Sequence, residues 1–256
     1  MKVRLLLAYK GSHFFGWQRQ VKLRSVQAEV EKALFKIFKQ KINVIASGRT
    51  DTGVHALGQT AHFEIEENLL ENKNLKKALN AIFPVDLSVV NCWRAPEDFH
   101  ARKSAVKKTY LYFIFTGESS PVLFPDLIWW RRESLNLQKL KELSQAFIGT
   151  KDFKSFQNSG STVKSTVRRV YSSCWYQLSP FVYYYKITGS GFLKQMVRNI
   201  VGTSLELLKS QRALQNLEHI FLSKERKQAF LTAPSRGLYL EKVFYPPSLD
   251  KACFLL

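Results

Sequence analysis

Thirteen consecutive residues, Ser47-Gly48-Arg49-Thr50-Asp51-Thr52-Gly53-Val54-His55-Ala56-Leu57-Gly58-Gln59, bring together three glycines, one carboxylate, one guanidinium and one imidazole. Glycines permit the positive φ values and the close ligand approach that a tight active-site loop needs. A carboxylate on such a loop can act as nucleophile or base, and a neighbouring arginine favours its ionised form at neutral pH. The same spacing also suits an Asx turn, in which Asp51 only accepts from backbone N–H groups ahead of it. Other chemistries fit less well. The GxxxxGK[ST] and GxGxxG phosphate-binding patterns are absent, as is GxSxG. His55 and His62 have no third ligand at zinc spacing, so no metal is expected.

The bulk charge narrows the partner. Lys and Arg number 39 against 20 Asp and Glu, a formal +19 with a sequence pI near 9.9. Such an excess suits a polyanion, and nucleic acid is the usual one, because each phosphate neutralised releases counterions. An anionic membrane surface is the rival, but the basic residues are scattered over strand-like and helix-like segments and do not form one basic amphipathic helix. With 45% hydrophobic and 23% charged residues the composition is that of a globular protein, which excludes disordered and fibrous classes. No apolar stretch approaches the roughly 18 residues of a membrane span. The N-terminal apolar run is too short for a signal sequence. Cys92, Cys174 and Cys253 are odd in number and far apart, fitting neither a disulfide framework nor a paired zinc site. A cytoplasmic protein with reduced thiols and no membrane partner is the expectation.

The elements that would position the glycine-rich loop can be read from periodicity. Val3 to Tyr9 has strand character and ends at the turn signal Lys10-Gly11-Ser12. Ser25 is a plausible N-cap for an amphipathic helix carrying Val26, Val30, Ala33, Leu34 and Ile37 on one face. Val44 to Ala46 leads into the loop. After it Ala61, Phe63 and Ile65 alternate with His62, Glu64 and Glu66, so the loop is held between two strands. A short helix over Leu75 to Ile82 and a strand over Leu87 to Trp93 follow, then an aromatic, β-branched strand over Thr109 to Thr116. Gly117 to Pro125 is turn-rich and marks the expected domain boundary. The second half reads as a helix over Leu137 to Phe147, strands over Val167 to Leu178 and Phe181 to Thr188, a helix over Phe192 to Leu208 and a last strand over Leu238 to Tyr245. The tail from Ser248 to Leu256 carries no usable pattern and is expected to be loosely held. The expected fold class is α+β, with an N-terminal half over residues 1–117, a C-terminal half over 118–247 and a tail over 248–256.

SGRTDTGVHALGQ closely resembles the signature around the catalytic aspartate of the tRNA pseudouridine synthase A (TruA) family. Tyr9-Lys10-Gly11-Ser12 with Phe15-Gly16-Trp17-Gln18-Arg19-Gln20 resembles that family's N-terminal segment, and Phe99-His100-Ala101-Arg102 with Lys108-Thr109-Tyr110 its tyrosine block. Gly149 to Phe153, Thr166 to Arg169, Gly191-Phe192-Leu193 with Met196 to Gly202, and Thr232-Ala233-Pro234 with Gly237 to Leu240 follow in the family's order. These blocks cover nearly the whole chain. Thr52, where the family often has Ala, and Lys194, where it often has His, are small departures.

The resemblance implies two similar α/β halves with antiparallel or mixed sheets, helices on one face and a catalytic cleft between the halves. It implies a cofactor-independent isomerase that converts uridine to pseudouridine at positions 38, 39 and 40 in the anticodon stem-loop of tRNA, acting as a homodimer. Asp51 becomes the nucleophile, Arg198 its guanidinium partner and Tyr110 the ring that stacks on the extruded uracil, while Arg49 is a further substrate-binding nominee. Without the resemblance, Arg198 reads as a surface or phosphate-binding arginine beside the apolar stripe of a helix, and Tyr110 as a core tyrosine. Lys107, Lys108, Arg168 and Arg169 are candidate phosphate contacts. A non-catalytic RNA-binding protein of the same fold is the main alternative, and a metal-dependent hydrolase a weaker one.

Overall fold

In the computed structural model, which describes residues 1–70, 74–160 and 163–256, the chain divides into two compact units. One comprises Met1–Val106 with Tyr239–Leu256, the other Lys107–Leu238. Among the described residues the helices, in chain order, are α1 (Val26–Phe38), α2 (Leu75–Ile82), α3 (Leu137–Gln145), α4 (Met196–Leu207), α5 (Ala213–Ser223) and α6 (Pro247–Lys251). The strands are β1 (Lys2–Tyr9), β2 (Ile45–Ala46), β3 (His55–Glu64), β4 (Leu87–Ala95), β5 (Lys107–Phe115), β6 (Trp129–Trp130), β7 (Gly149–Asp152), β8 (Val167–Ser179), β9 (Val182–Gly189), β10 (Leu238–Phe244) and β11 (Phe254–Leu255). The α+β class follows directly.

In the first unit the strand order is β11-β4-β1-β3-β10. All neighbours are antiparallel except β3 and β10, which run parallel. β1 alternates as the pleat requires, burying Val3, Leu5, Leu7 and Tyr9. β3 departs from the alternation expected of it. Its second edge takes β10 at His55 and Ala56 and β2 at Ala61 and His62, and His62, expected on a polar face, is 3% exposed. α1 starts where Ser25 accepts from the Ala28 N–H at 3.4 Å and ends at Lys39 in the left-handed region, φ 58°. α2 packs on β4 and is stitched to it by Asn80, whose amide bonds both the N–H and the C=O of Val89 at 2.7 and 2.9 Å.

In the second unit the antiparallel order is β5-β9-β8-β7, with β6 parallel to the end of β5. α3 packs against β8 and against α4 and α5. Lys139 of α3 donates to the carbonyls of Leu208 and Ser210 at 2.8 and 2.7 Å, capping the carboxyl end of α4. The core is aromatic, with Tyr112, Phe147, Phe153, Phe156, Trp175 and Tyr185 fully buried.

The division differs from the expected one at both ends. β5 pairs with β9 from Lys108 to Phe115, and residues 107–117 and Tyr110 with them belong to the second unit. The turn-rich stretch after Gly117 is a loop inside that unit. Residues 239–247 return to the first unit, where Tyr239 and Leu240 pair with His55 and Ala56. The tail also belongs there: β11 pairs with Arg94 and Trp93, the Leu256 N–H bonds the Cys92 C=O, and Asp250 accepts from Arg4 at 2.6 Å. The helix expected from Phe192 starts at Met196, because Gln195 takes φ 60° and breaks the helical path before it.

Candidate active site

The Asp51 loop joins β2 to β3 and is clamped by the segment that follows β1. Trp17 donates its N–H to the Thr50 C=O at 3.1 Å, and Gly53 donates to the Phe14 C=O at 3.3 Å. The turn after Asp51 is closed by the Val54 N–H on the Asp51 C=O at 3.1 Å, and Gly53 takes φ +77° to allow it. Gly16, at φ +83°, lies so close that a Cβ there would meet the Thr50 oxygen at 2.6 Å and the Asp51 carbonyl carbon at 3.2 Å. Trp17 in turn accepts from the Gln27 N–H at 3.0 Å, and Gly16 from the Val26 N–H at 3.2 Å, tying the clamp to the first turn of α1.

Side chains complete the frame. Ser47 donates to Gln59 at 2.7 Å and Gln59 donates to the Gly48 C=O at 2.9 Å, so the base of the loop is bridged by a buried amide. Tyr9 shares a hydrogen bond with Thr50 at 2.9 Å, and burial raises its pKa to about 12, keeping the phenol neutral. His55 is 1% exposed, its Nδ1 accepts from the Gly11 N–H at 3.0 Å, and its ring stacks on Tyr239 with centroids 4.6 Å apart. His55 therefore anchors the loop. Among the described residues no group of His, Cys, Asp and Glu has the makings of a metal centre. Asp51 itself is half-buried and Arg49 exposed.

In the second unit Tyr110 lies on β5 opposite Ile187, half-buried, its ring edge-on to Phe192 at 5.1 Å. Gly189 makes room for Phe192, since a Cβ there would sit 3.0 Å from that ring. Arg198 is in the first turn of α4, and its Nε donates to the Ala233 C=O at 2.6 Å while the Ala233 N–H returns a bond to the Arg198 C=O at 3.2 Å. The next carbonyl, that of Pro234, accepts from the Tyr112 hydroxyl at 2.7 Å. Thr232-Ala233-Pro234 therefore ties the helix of Arg198 to the strand of Tyr110 within this unit. Gly202 lets the segment approach, a Cβ there falling 1.9 Å from the Leu231 oxygen.

Behind that segment lies a polar network that sequence reasoning missed. Arg226 donates Nε to Asn158, Nη1 to the carbonyls of Ala229 and Phe230, and Nη2 to Asn199 and Thr232, at 2.6 to 3.0 Å. No local spacing announces it, because its members come from three separate stretches of chain, around residues 158, 199 and 226–232. Of the phosphate nominees, Arg169 is exposed, whereas Arg168 folds back onto the carbonyls of Ser165 and Val167 at 2.8 and 2.6 Å. Lys194 reaches the Ser159 C=O at 2.9 Å.

The chain matches the family model described as "tRNA pseudouridine synthase" over residues 6–102 and 143–246. It is 44% identical to the tRNA pseudouridine synthase A of Bdellovibrio bacteriovorus, over 100% of this chain and 99% of that one. It is 38% identical to that of Maridesulfovibrio salexigens, over 95% and 90% of the two chains. To that of Thermodesulfovibrio yellowstonii it is 36% identical, over 96% and 100%. The chain belongs to the tRNA pseudouridine synthase family.

Proposed function

We propose that this protein isomerises uridine to pseudouridine at positions 38, 39 and 40 in the anticodon stem-loop of tRNA, with Asp51 as the nucleophile. Family membership makes it a tRNA-modifying isomerase. The observation that supports the assignment to Asp51 is the frame around it: Gly16, Trp17, Gly53 and Gln59 hold the loop backbone from several sides. A carboxylate on so constrained a backbone is preorganised for attack.

The reaction breaks the C1′–N1 bond, turns the uracil and forms a C1′–C5 bond. The hydrogen at C5 leaves as a proton, N1 gains one, and nothing is oxidised or reduced, so no cofactor or metal is called for. Asp51 attacks C1′ of the ribose or C6 of the base and is released when the C–C bond has formed. In this reading Arg198 holds the carboxylate in its charged form, Tyr110 stacks on the detached uracil and Arg49 holds the backbone of the extruded nucleotide. Extruding the base costs a few kcal/mol, about what several phosphate contacts return. The protein acts as a cytoplasmic homodimer.

Release of tritium from tRNA labelled at C5 of uridine tests the reaction type. Wild type in the presence of a chelator is expected to release label, one equivalent per pseudouridine. Binding without release would favour a non-catalytic RNA-binding protein.

A further inference from the structure

A pocket of about 370 Å³ opens in the first unit beside the Asp51 loop, and its walls include Arg49, Arg102, Lys103, His100, Gln18 and Trp17. Three cations face it, and among the described residues lining it there is no carboxylate. Cations gathered around a concavity raise the local positive potential and favour an anion there.

The turn that carries two of these cations is built with care. His100 Nδ1 accepts from the N–H groups of both Arg102 and Lys103 at 3.1 Å. The Ser104 hydroxyl accepts from the His100 N–H at 3.1 Å, and the Ser104 N–H donates back to the His100 C=O at 3.0 Å. Between them, the Ala101 N–H is held by His62 Nδ1 at 3.2 Å and the Ala101 C=O by the Tyr245 hydroxyl at 2.7 Å. With Nδ1 accepting, the neutral His100 ring carries its proton on Nε2 as a further donor. Arg49 is two residues from Asp51, so their Cα atoms lie within about 7.5 Å of each other. One wall of the pocket therefore belongs to the loop that carries Asp51.

We propose that the pocket receives the phosphodiester of a nucleotide next to the reacting uridine, held by Arg49, Arg102 and Lys103 with the His100 Nε2–H as a fourth donor. The assignment rests on the reading of the protein as a tRNA-modifying enzyme. It adds a grip on the strand at a fixed distance from the nucleophile, which sets the register of the RNA in the site.

The test is binding of full-length unmodified tRNA across a salt series, by wild type and by an Arg102→Ala, Lys103→Ala double variant whose thermal unfolding matches wild type. Loss of two contacts to a single-stranded loop should raise Kd by about tenfold or more and make the slope of log K against log salt shallower by about 1.4. A ligated tRNA carrying one neutral methylphosphonate linkage beside the target uridine should bind wild type more weakly, and the double variant should lose clearly less against its own all-phosphate control, because only Arg49 and the His100 Nε2–H still hold that linkage. Unchanged Kd and slope in the variant would overturn the proposal, as would equal methylphosphonate losses in both proteins. Because the readout is binding, these results are distinct from a failure of wild type to form pseudouridine, which would count against the functional reading.

Discussion

Gly11 has no room for a methyl group. A Cβ there would lie 2.0 Å from the Val54 carbonyl oxygen, in backbone that forms the far end of the Asp51 loop. Gly11→Ala must push that strand aside, and about 2–4 kcal/mol of destabilisation is expected, measured by urea unfolding. Pseudouridine formation should fall with it; wild-type stability in the variant would contradict the packing. His62 sets a pH dependence. Burial, with His100 and Lys2 nearby, lowers its pKa from 6.5 to about 4, and its neutral Nδ1 accepts the Ala101 N–H. A base whose folded pKa is depressed is protonated first in the unfolded chain. The stability tied to its neutral form is complete above pH 6.5 and drains away as the pH falls toward 4. A loss on the order of 2 kcal/mol is expected. Thermal unfolding across that window should show the decline, and His62→Asn, which keeps an acceptor without titrating, should flatten it. An equally steep decline in the variant would contradict this account.

At the scale of elements, the Arg226 network holds the 229–234 segment against α4, where Arg198 starts. Arg226→Ala strands several partly buried acceptors, and about 2–4 kcal/mol of destabilisation is expected in chemical unfolding. Arg226→Lys should recover only part of it, since an ammonium cannot reproduce the planar fork. Full recovery by Lys would reduce the site to a simple charge. The strands that carry the candidate site are legible in the sequence because their patterns are local: β1 alternates, β5 is aromatic and β-branched, and α1 has a capping serine. The Asp51 loop is legible because one short motif holds it. Its supports are not, since Tyr239 stacks on His55 and Gly16 packs on Thr50 from distant positions. The unit division is hidden for the same reason: pairing of β5 with β9 and of β10 with β3 is non-local, whereas the turn signals after Gly117 mark only a loop. α5 does carry a signal, Ala213, Leu217 and Ile220 at helical spacing, but Arg212 offers no capping side chain to announce it.

For the molecule as a whole, the formal charge of +19 governs its dealings with RNA. No described helix is long and apolar enough to cross a membrane. With six or more phosphate contacts, affinity for tRNA should fall roughly a thousandfold or more between 50 and 200 mM salt. A flat response would remove electrostatics as the source of binding energy. A clamped loop presents Asp51 as the proposed nucleophile of the uridine-to-pseudouridine isomerisation. Base-resolved mapping of pseudouridine tests it most directly, with wild type and Asp51→Ala run side by side on unmodified tRNA in chelator. Pseudouridine at positions 38 to 40 from wild type, and none from an Asp51→Ala protein that still folds and binds tRNA, is the predicted result. Pseudouridine from the Asp51→Ala protein at the wild-type rate would contradict it.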